Sequence, residues 1–211
     1  MYTKHKWLSE NHYNFKYLKY MPKDCENGNL PLVIMLHGAG ERGDDIDVIT
    51  RHGFMRYIAE GTEYPFICIA PQCPADKYWG CFTESLLAFV DELIETLPVD
   101  KNRVYLTGLS MGGTGTWMLA MAAPEKFAAI MPVCGSGIVW NAGCLKDIPI
   151  YTYHGDNDPI VPISDSVNMV AAVNKCGGNA KMKIGFGWGH NMWDAAYTDP
   201  ELLTWLLEQR K

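Results

Sequence analysis

The sequence predicts an α/β fold, a doubly wound and mostly parallel sheet with helices on both faces. Two observations lead there. Short apolar runs of strand length alternate with stretches of helix length along most of the chain. The runs are apolar at successive positions, not at every second one, as expected of strands buried on both sides. A third observation places function: four stretches rich in Gly, His and Asp follow directly on predicted strands. On open sheets of this kind, ligands bind beyond the carboxyl ends of the strands.

Taken in order, residues 13–21 partly alternate and read as an antiparallel edge strand ending at Pro22. A turn-rich stretch at 23–30 precedes the central run Leu32-Val33-Ile34-Met35-Leu36. A helix is expected from Ile49 to Glu60, weakened by Gly53, and a buried strand from Phe66 to Ala70. From Glu84 to Leu97, six apolar residues, Leu86, Leu87, Val90, Leu93, Ile94 and Leu97, share one helical face. A strand around Val104–Leu109 then turns into a helix that includes Thr116–Ala123, and strands follow at 128–133 and 148–153. Ser164–Lys175 reads as a helix stopped by Gly177-Gly178, Met182–Phe186 as the last strand, and Glu201–Gln209 as a terminal helix with Pro200 in its first turn.

The chain has 211 residues, 48% hydrophobic and 20% charged, which suits one domain over residues 1–211, with 1–30 as an N-terminal edge strand and lead-in. A net charge of −6 without a basic block argues against nucleic acid or an anionic membrane surface as partner. No apolar run reaches the length of a membrane span, and the first residues lack the apolar core of a secretory signal. Of the seven cysteines, several sit inside apolar runs, and none forms a Cys-x-x-Cys pair. Reduced, largely buried thiols in a cytoplasmic protein are therefore expected, with a Cys73–Cys81 bridge as the rival reading.

The chemistry centres on Gly108-Leu109-Ser110-Met111-Gly112, which joins a predicted strand to a predicted helix. A sharp strand-to-helix turn strains its central residue, and glycines on either side remove the crowding, so the Ser110 hydroxyl stands clear of the sheet. A serine hydroxyl is a poor nucleophile until a base takes its proton. The loop Gly185-Phe186-Gly187-Trp188-Gly189-His190 supplies one, with three glycines that let the ring of His190 lean over the sheet. The base needs a carboxylate to fix its tautomer, and Tyr153-His154-Gly155-Asp156-Asn157-Asp158 offers two, between which spacing does not choose. His154 itself reads as structural. An attacked carbonyl needs fixed N–H donors for its oxyanion. The loop His37-Gly38-Ala39-Gly40 offers that of Ala39, with Gly38 or Gly40 as substitutes, and Met111 supplies the second. His37 is expected to brace this loop, and Glu41, Arg42, Asp44 and Asp45 to form a solvated polar surface. His5, His12 and His52 lie outside these strand ends. No metal-ligand spacing is present, so neither a metal nor another cofactor is expected.

With these stretches in hand, the chain from about Leu30 onward resembles the compact carboxylesterase group of α/β-hydrolases. That group includes phospholipase/carboxylesterases, acyl-protein thioesterases, feruloyl-type esterases and predicted-peptidase esterases. The marks are the runs at 37–43, 108–113, 154–162 and 189–191. The resemblance implies a Ser110–Asp158–His190 triad, because the acid in such enzymes is the Asp just before Pro-x-Val-Pro, here Asp158. It implies an acyl-enzyme esterase acting on a small-molecule ester with no cofactor. A thioesterase, lysophospholipase or small peptidase is the alternative within that chemistry, and a non-catalytic receptor the alternative outside it. The stretch from Cys134 to Ile148 leaves room for a loop and not a cap domain. Aromatics near the strand ends, Trp79, Phe82, Trp140, Trp188 and Trp193, are candidates to shape a pocket for an aryl or short acyl group.

Overall fold

A computed structural model describes residues 1–23 and 28–211. Eight strands form one sheet: β1 (Tyr2–Lys6), β2 (Lys16–Tyr20), β3 (Leu30–Leu36), β4 (Ile67–Pro71), β5 (Val99–Leu109), β6 (Ala129–Val133), β7 (Ile150–Gly155) and β8 (Ala180–Gly185). The helices are α1 (Gly53–Ala59), α2 (Thr83–Thr96), α3 (Met111–Ala122), α4 (Ile163–Lys175), α5 (Trp193–Thr198) and α6 (Pro200–Glu208). The strand order is β1-β2-β4-β3-β5-β6-β7-β8, with β1, β2 and β4 paired antiparallel and the pairs from β4 through β8 parallel. Strand order reverses around β3, which pairs with β4 on one side and β5 on the other. The crevice outside the strand ends opens at such a reversal.

The central strand shows why the sheet is covered on both faces. Leu32, Ile34 and Leu36 belong to a core shared with Leu86, Phe89 and Leu93 of α2 and Trp117 of α3. Val33 and Met35 belong to the opposite core, with Phe54 and Ile58 of α1, Tyr197 of α5 and Leu202 and Leu206 of α6. Successive side chains point to opposite faces, so an unbroken apolar run has a use only with helices on both sides.

Four elements differ from the sequence expectation. The strand at 16–20 is interior, because β1 pairs along its outer side in the register Tyr2↔Tyr20 to Lys6↔Lys16. β1 is polar and lysine-bearing, the composition of a protected edge. The helix expected over 49–60 is two pieces, a 3-10 stretch at Ile46–Arg51 and then α1, split where Gly53 takes φ 67°. Neither β1 nor the short α5 has a counterpart in the sequence reading. The other strands and helices lie within a few residues of expectation. α6 starts at Pro200 as anticipated, with the Asp199 side chain capping Glu201 N–H.

Between β6 and β7 there is only a 3-10 stretch, Val139–Leu145, and no cap domain. The six described cysteines are free, with Cys73 buried and Cys81 exposed, so the rival bridge is not formed. Cys25 lies outside the described residues. No described helix is long and apolar enough to cross a membrane.

Candidate active site

Ser110 occupies the turn from β5 into α3 with φ 54° and ψ −117°, in the left-handed half of the map where a non-glycine residue is strained. The two flanking glycines make the turn possible. A Cβ on Gly108 would collide with the backbone of Gly112, and one on Gly112 with the carbonyl of Leu36. The loop after β8 brings His190 over this turn, and its Nε2 lies 2.7 Å from Ser110 Oγ. On its far side, His190 Nδ1 lies 2.6 Å from Asp158 Oδ2. Because an ionised carboxylate only accepts, Nδ1 carries the hydrogen, and Nε2 is left to accept from the serine hydroxyl. The three side chains singled out in the sequence therefore touch in series.

Asp158 is the carboxylate in contact, and Asp156 is not. The Asp158 side chain has no exposed surface. Its Oδ1 accepts the N–H groups of Ile160 at 2.8 Å and Val161 at 2.9 Å. Burial alone would push this carboxyl up. The hydrogen bonds from His190, Val161 and Ile160 outweigh burial and hold it below the usual carboxylate range. Asp156 instead accepts the N–H of Gly187 at 2.7 Å, which ties the β7 loop to the loop that carries His190.

Ala39 is the first residue of a 3-10 turn, Ala39–Glu41, and Met111 is the first residue of α3. The N–H groups at such positions have no partner within their own helix. His37 braces the loop from below, at 1% exposure. Its Nε2 accepts Cys73 N–H at 2.9 Å, so Nδ1 carries the hydrogen donated to Gly38 O at 2.6 Å. Burial lowers its pKa to about 4, so the ring is neutral and the acceptor is preserved at neutral pH.

Trp79 is 2% exposed and donates its indole N–H to His37 O at 2.9 Å, so it supports the loop and offers no pocket surface. Phe82 is likewise buried, packed on Tyr13 and Phe15. Trp140 and Trp188 are 86% and 42% exposed. Trp193 is half-buried and meets the His190 ring edge-on with centroids 5.3 Å apart.

Two expectations about charge and histidine need correction. Glu41 is not on a solvated surface: it is buried, with Oε1 3.7 Å from His52 Nε2. His52 is not remote, since its ring packs on Trp193 at 5.3 Å, the same ring that meets His190. Sequence reasoning missed this group because it depends on how the loop and the start of α1 fold back, which no local spacing announces.

Among the described residues, one cluster has metal-ligand proximity: the donor atoms of Cys134, His154 and Asp158 lie within 4.8 Å of one another. Their hydrogen bonds account for them as protein contacts. The Cys134 sulfur accepts from the N–H groups of Gly155 and Met192, and burial pushes that thiol up to about 12. Both nitrogens of His154 are engaged.

A family described as phospholipase/carboxylesterase matches residues 81–199, more than half of the chain. The chain belongs to this family. It is similar to a solved thermostable esterase, 32% identical with a TM-score of 0.87, over 100% of this chain and 63% of that one. It is similar to a probable feruloyl esterase C of Aspergillus niger, 28% identical over 73% of this chain and 58% of the relative. A bifunctional acetylxylan esterase/xylanase of Neocallimastix patriciarum is 30% identical over 37% of this chain and 12% of that protein. The chain thus spans less than two thirds of the length of each. A solved ferulic acid esterase, 16% identical with a TM-score of 0.77 over 98% of this chain and 97% of that one, shares the α/β-hydrolase fold.

Proposed function

We propose that this phospholipase/carboxylesterase family member is a serine carboxylesterase acting on carboxylic esters of small or aryl acyl groups. One observation carries the reading: the unbroken contact from Ser110 Oγ to His190 Nε2 at 2.7 Å and from His190 Nδ1 to Asp158 Oδ2 at 2.6 Å. Ser110 attacks the ester carbonyl while His190 takes its proton. Asp158 orients His190 and favours its protonated form. The N–H groups of Ala39 and Met111 hold the oxyanion, and losing one such donor costs about 3–4 kcal/mol of barrier. Collapse expels the alcohol, protonated by His190, and leaves an acyl group on Ser110. Water then attacks by the same route and releases the acid. The small or aryl acyl group is supported by the esterase and feruloyl esterase relatives and by the exposed rings of Trp140 and Trp188.

The experiment is labelling by a fluorophosphonate probe together with p-nitrophenyl acetate hydrolysis. The wild-type protein should be labelled and hydrolyse the ester, and Ser110→Ala should do neither while remaining folded. A folded wild-type protein that takes no label and leaves the ester intact counts against the reading.

A further inference from the structure

β7 ends in Tyr153-His154-Gly155, and the side chain of His154 is completely buried. An imidazole out of water needs partners for both nitrogens. Nδ1 lies 2.7 Å from Ser166 Oγ of α4, and Nε2 lies 2.9 Å from the carbonyl oxygen of Val161. A carbonyl only accepts, so Nε2 carries the hydrogen, and in the neutral ring Nδ1 accepts from the Ser166 hydroxyl. The same Nε2 stands 3.1 Å from Asp158 Oδ2, the oxygen that takes the hydrogen of His190. Val161 links the two contacts: its carbonyl accepts from His154, and its N–H donates to Asp158 Oδ1.

We propose that His154 is a positioning residue for the acid of the triad, gripping Asp158 through Val161 and sharing with His190 the negative charge on Oδ2. This rests on the esterase reading above. A residue that merely filled the end of β7 would need no N–H directed at the peptide that holds the catalytic acid. A polar edge beside Oδ2 draws off part of the field that favours protonated His190. A fixed Val161 peptide keeps the carboxylate from rotating away. The other ionisable groups around this cluster are otherwise committed. Cys134, from the end of β6, accepts two backbone N–H groups and is kept protonated by burial. Asp165, in the first turn of α4, holds Ser136 Oγ at 2.5 Å, and Asp156 holds Gly187 N–H.

The test is the pH dependence of kcat and KM on p-nitrophenyl acetate for wild type, His154→Gln, His154→Phe and Ser166→Ala. The downfield proton resonance of His190 Nδ1–H is recorded beside it without substrate. His154→Phe should lower kcat by roughly tenfold, the cost typical of losing an orienting partner. It should leave KM unchanged, move the acid limb to higher pH as His190 gains the whole charge of Oδ2, and shift the downfield resonance. His154→Gln retains an N–H within reach of Val161 O and should restore most of this. Ser166→Ala leaves His154 in place without its tautomer-fixing hydroxyl and should shift limb and resonance in the same direction by less, which serves if the Phe variant does not fold. Acid limbs and resonances of folded variants that superimpose on wild type overturn the proposal. A wild-type protein that hydrolyses no ester strikes the esterase reading instead, because the resonance reads the contact without turnover.

Discussion

The N–H of Gly187 donates to Asp156 Oδ1 across 2.7 Å, so the aspartate that does not touch His190 fastens the loop that carries it. Two aspartates two residues apart thus have separate tasks, and separate consequences when changed. Asp158→Asn places an amide where His190 needs an acceptor and selects the wrong tautomer, so kcat should fall by about 10⁴. Asp156→Asn keeps an oxygen that accepts from Gly187 and should cost less than about tenfold. Steady-state kinetics on p-nitrophenyl acetate separates them, and a crippled Asp156→Asn beside an active Asp158→Asn would reverse the assignment.

Ser110 sits at φ 54°, a conformation a glycine adopts at no steric cost. Such strain is worth about 1–3 kcal/mol. Ser110→Gly should therefore abolish turnover while raising stability by roughly 1 kcal/mol, the greater freedom of the unfolded glycine offsetting part of the relief. Urea unfolding of the two proteins measures the difference. A loss of stability would mean that the turn is not strained at Ser110.

Much of this was legible in the sequence because it depends on local rules. An apolar run such as Leu32–Leu36 requires cover on both faces, and Gly108 and Gly112 mark a close strand-to-helix approach wherever the rest of the chain goes. The choice between Asp156 and Asp158 is not local: the residues alone left it open, the family resemblance pointed to Asp158, and contact with the β8 loop distinguishes them. β1 escaped notice because its alternation is polar, and it is a strand only by pairing with β2. Trp79 looked like pocket lining because sequence cannot tell that its indole N–H finds the carbonyl of His37. Glu41 and His52 meet only through the folding of their loop, which hid the contact of a buried carboxylate with a partly exposed ring.

His37 makes stability depend on pH in a stated direction. Its pKa is about 4 in the folded protein, against about 6.5 for an ordinary histidine. Between those values the unfolded chain binds the extra proton, so stability falls as pH drops from about 6.5 to about 4 and this contribution changes no further below. The physical event is loss of the lone pair that accepts Cys73 N–H. The size is on the order of 2–3 kcal/mol across the window. His37→Gln offers a non-titrating acceptor. It should be less stable than wild type at pH 7, with the gap narrowing toward pH 4 in urea titrations. A constant gap would show that His37 does not titrate in this range.

Trp140 is a large ring left mostly in water and Trp188 one partly exposed, on the segments that follow β6 and β8. The segment before Trp140 is tied to α3 by Ser136 N–H donating to Thr114 Oγ1 at 3.0 Å, and Trp188 lies two residues before His190. Trp140, 86% exposed, has little burial to lose, so truncating it should leave stability within about 0.5 kcal/mol of wild type, whereas truncating Trp188, 42% exposed, should cost more. What truncation removes is a flat apolar face worth about 0.5–1.5 kcal/mol against another aromatic ring. Trp188→Ala should therefore raise KM for methyl cinnamate up to about tenfold, since 1.4 kcal/mol is a factor of ten. Its kcat/KM on ethyl acetate should be unchanged, and Trp140→Ala should have a smaller effect of the same kind. An equal change on both esters would mean that the ring supports the His190 loop and does not recognise the acyl group.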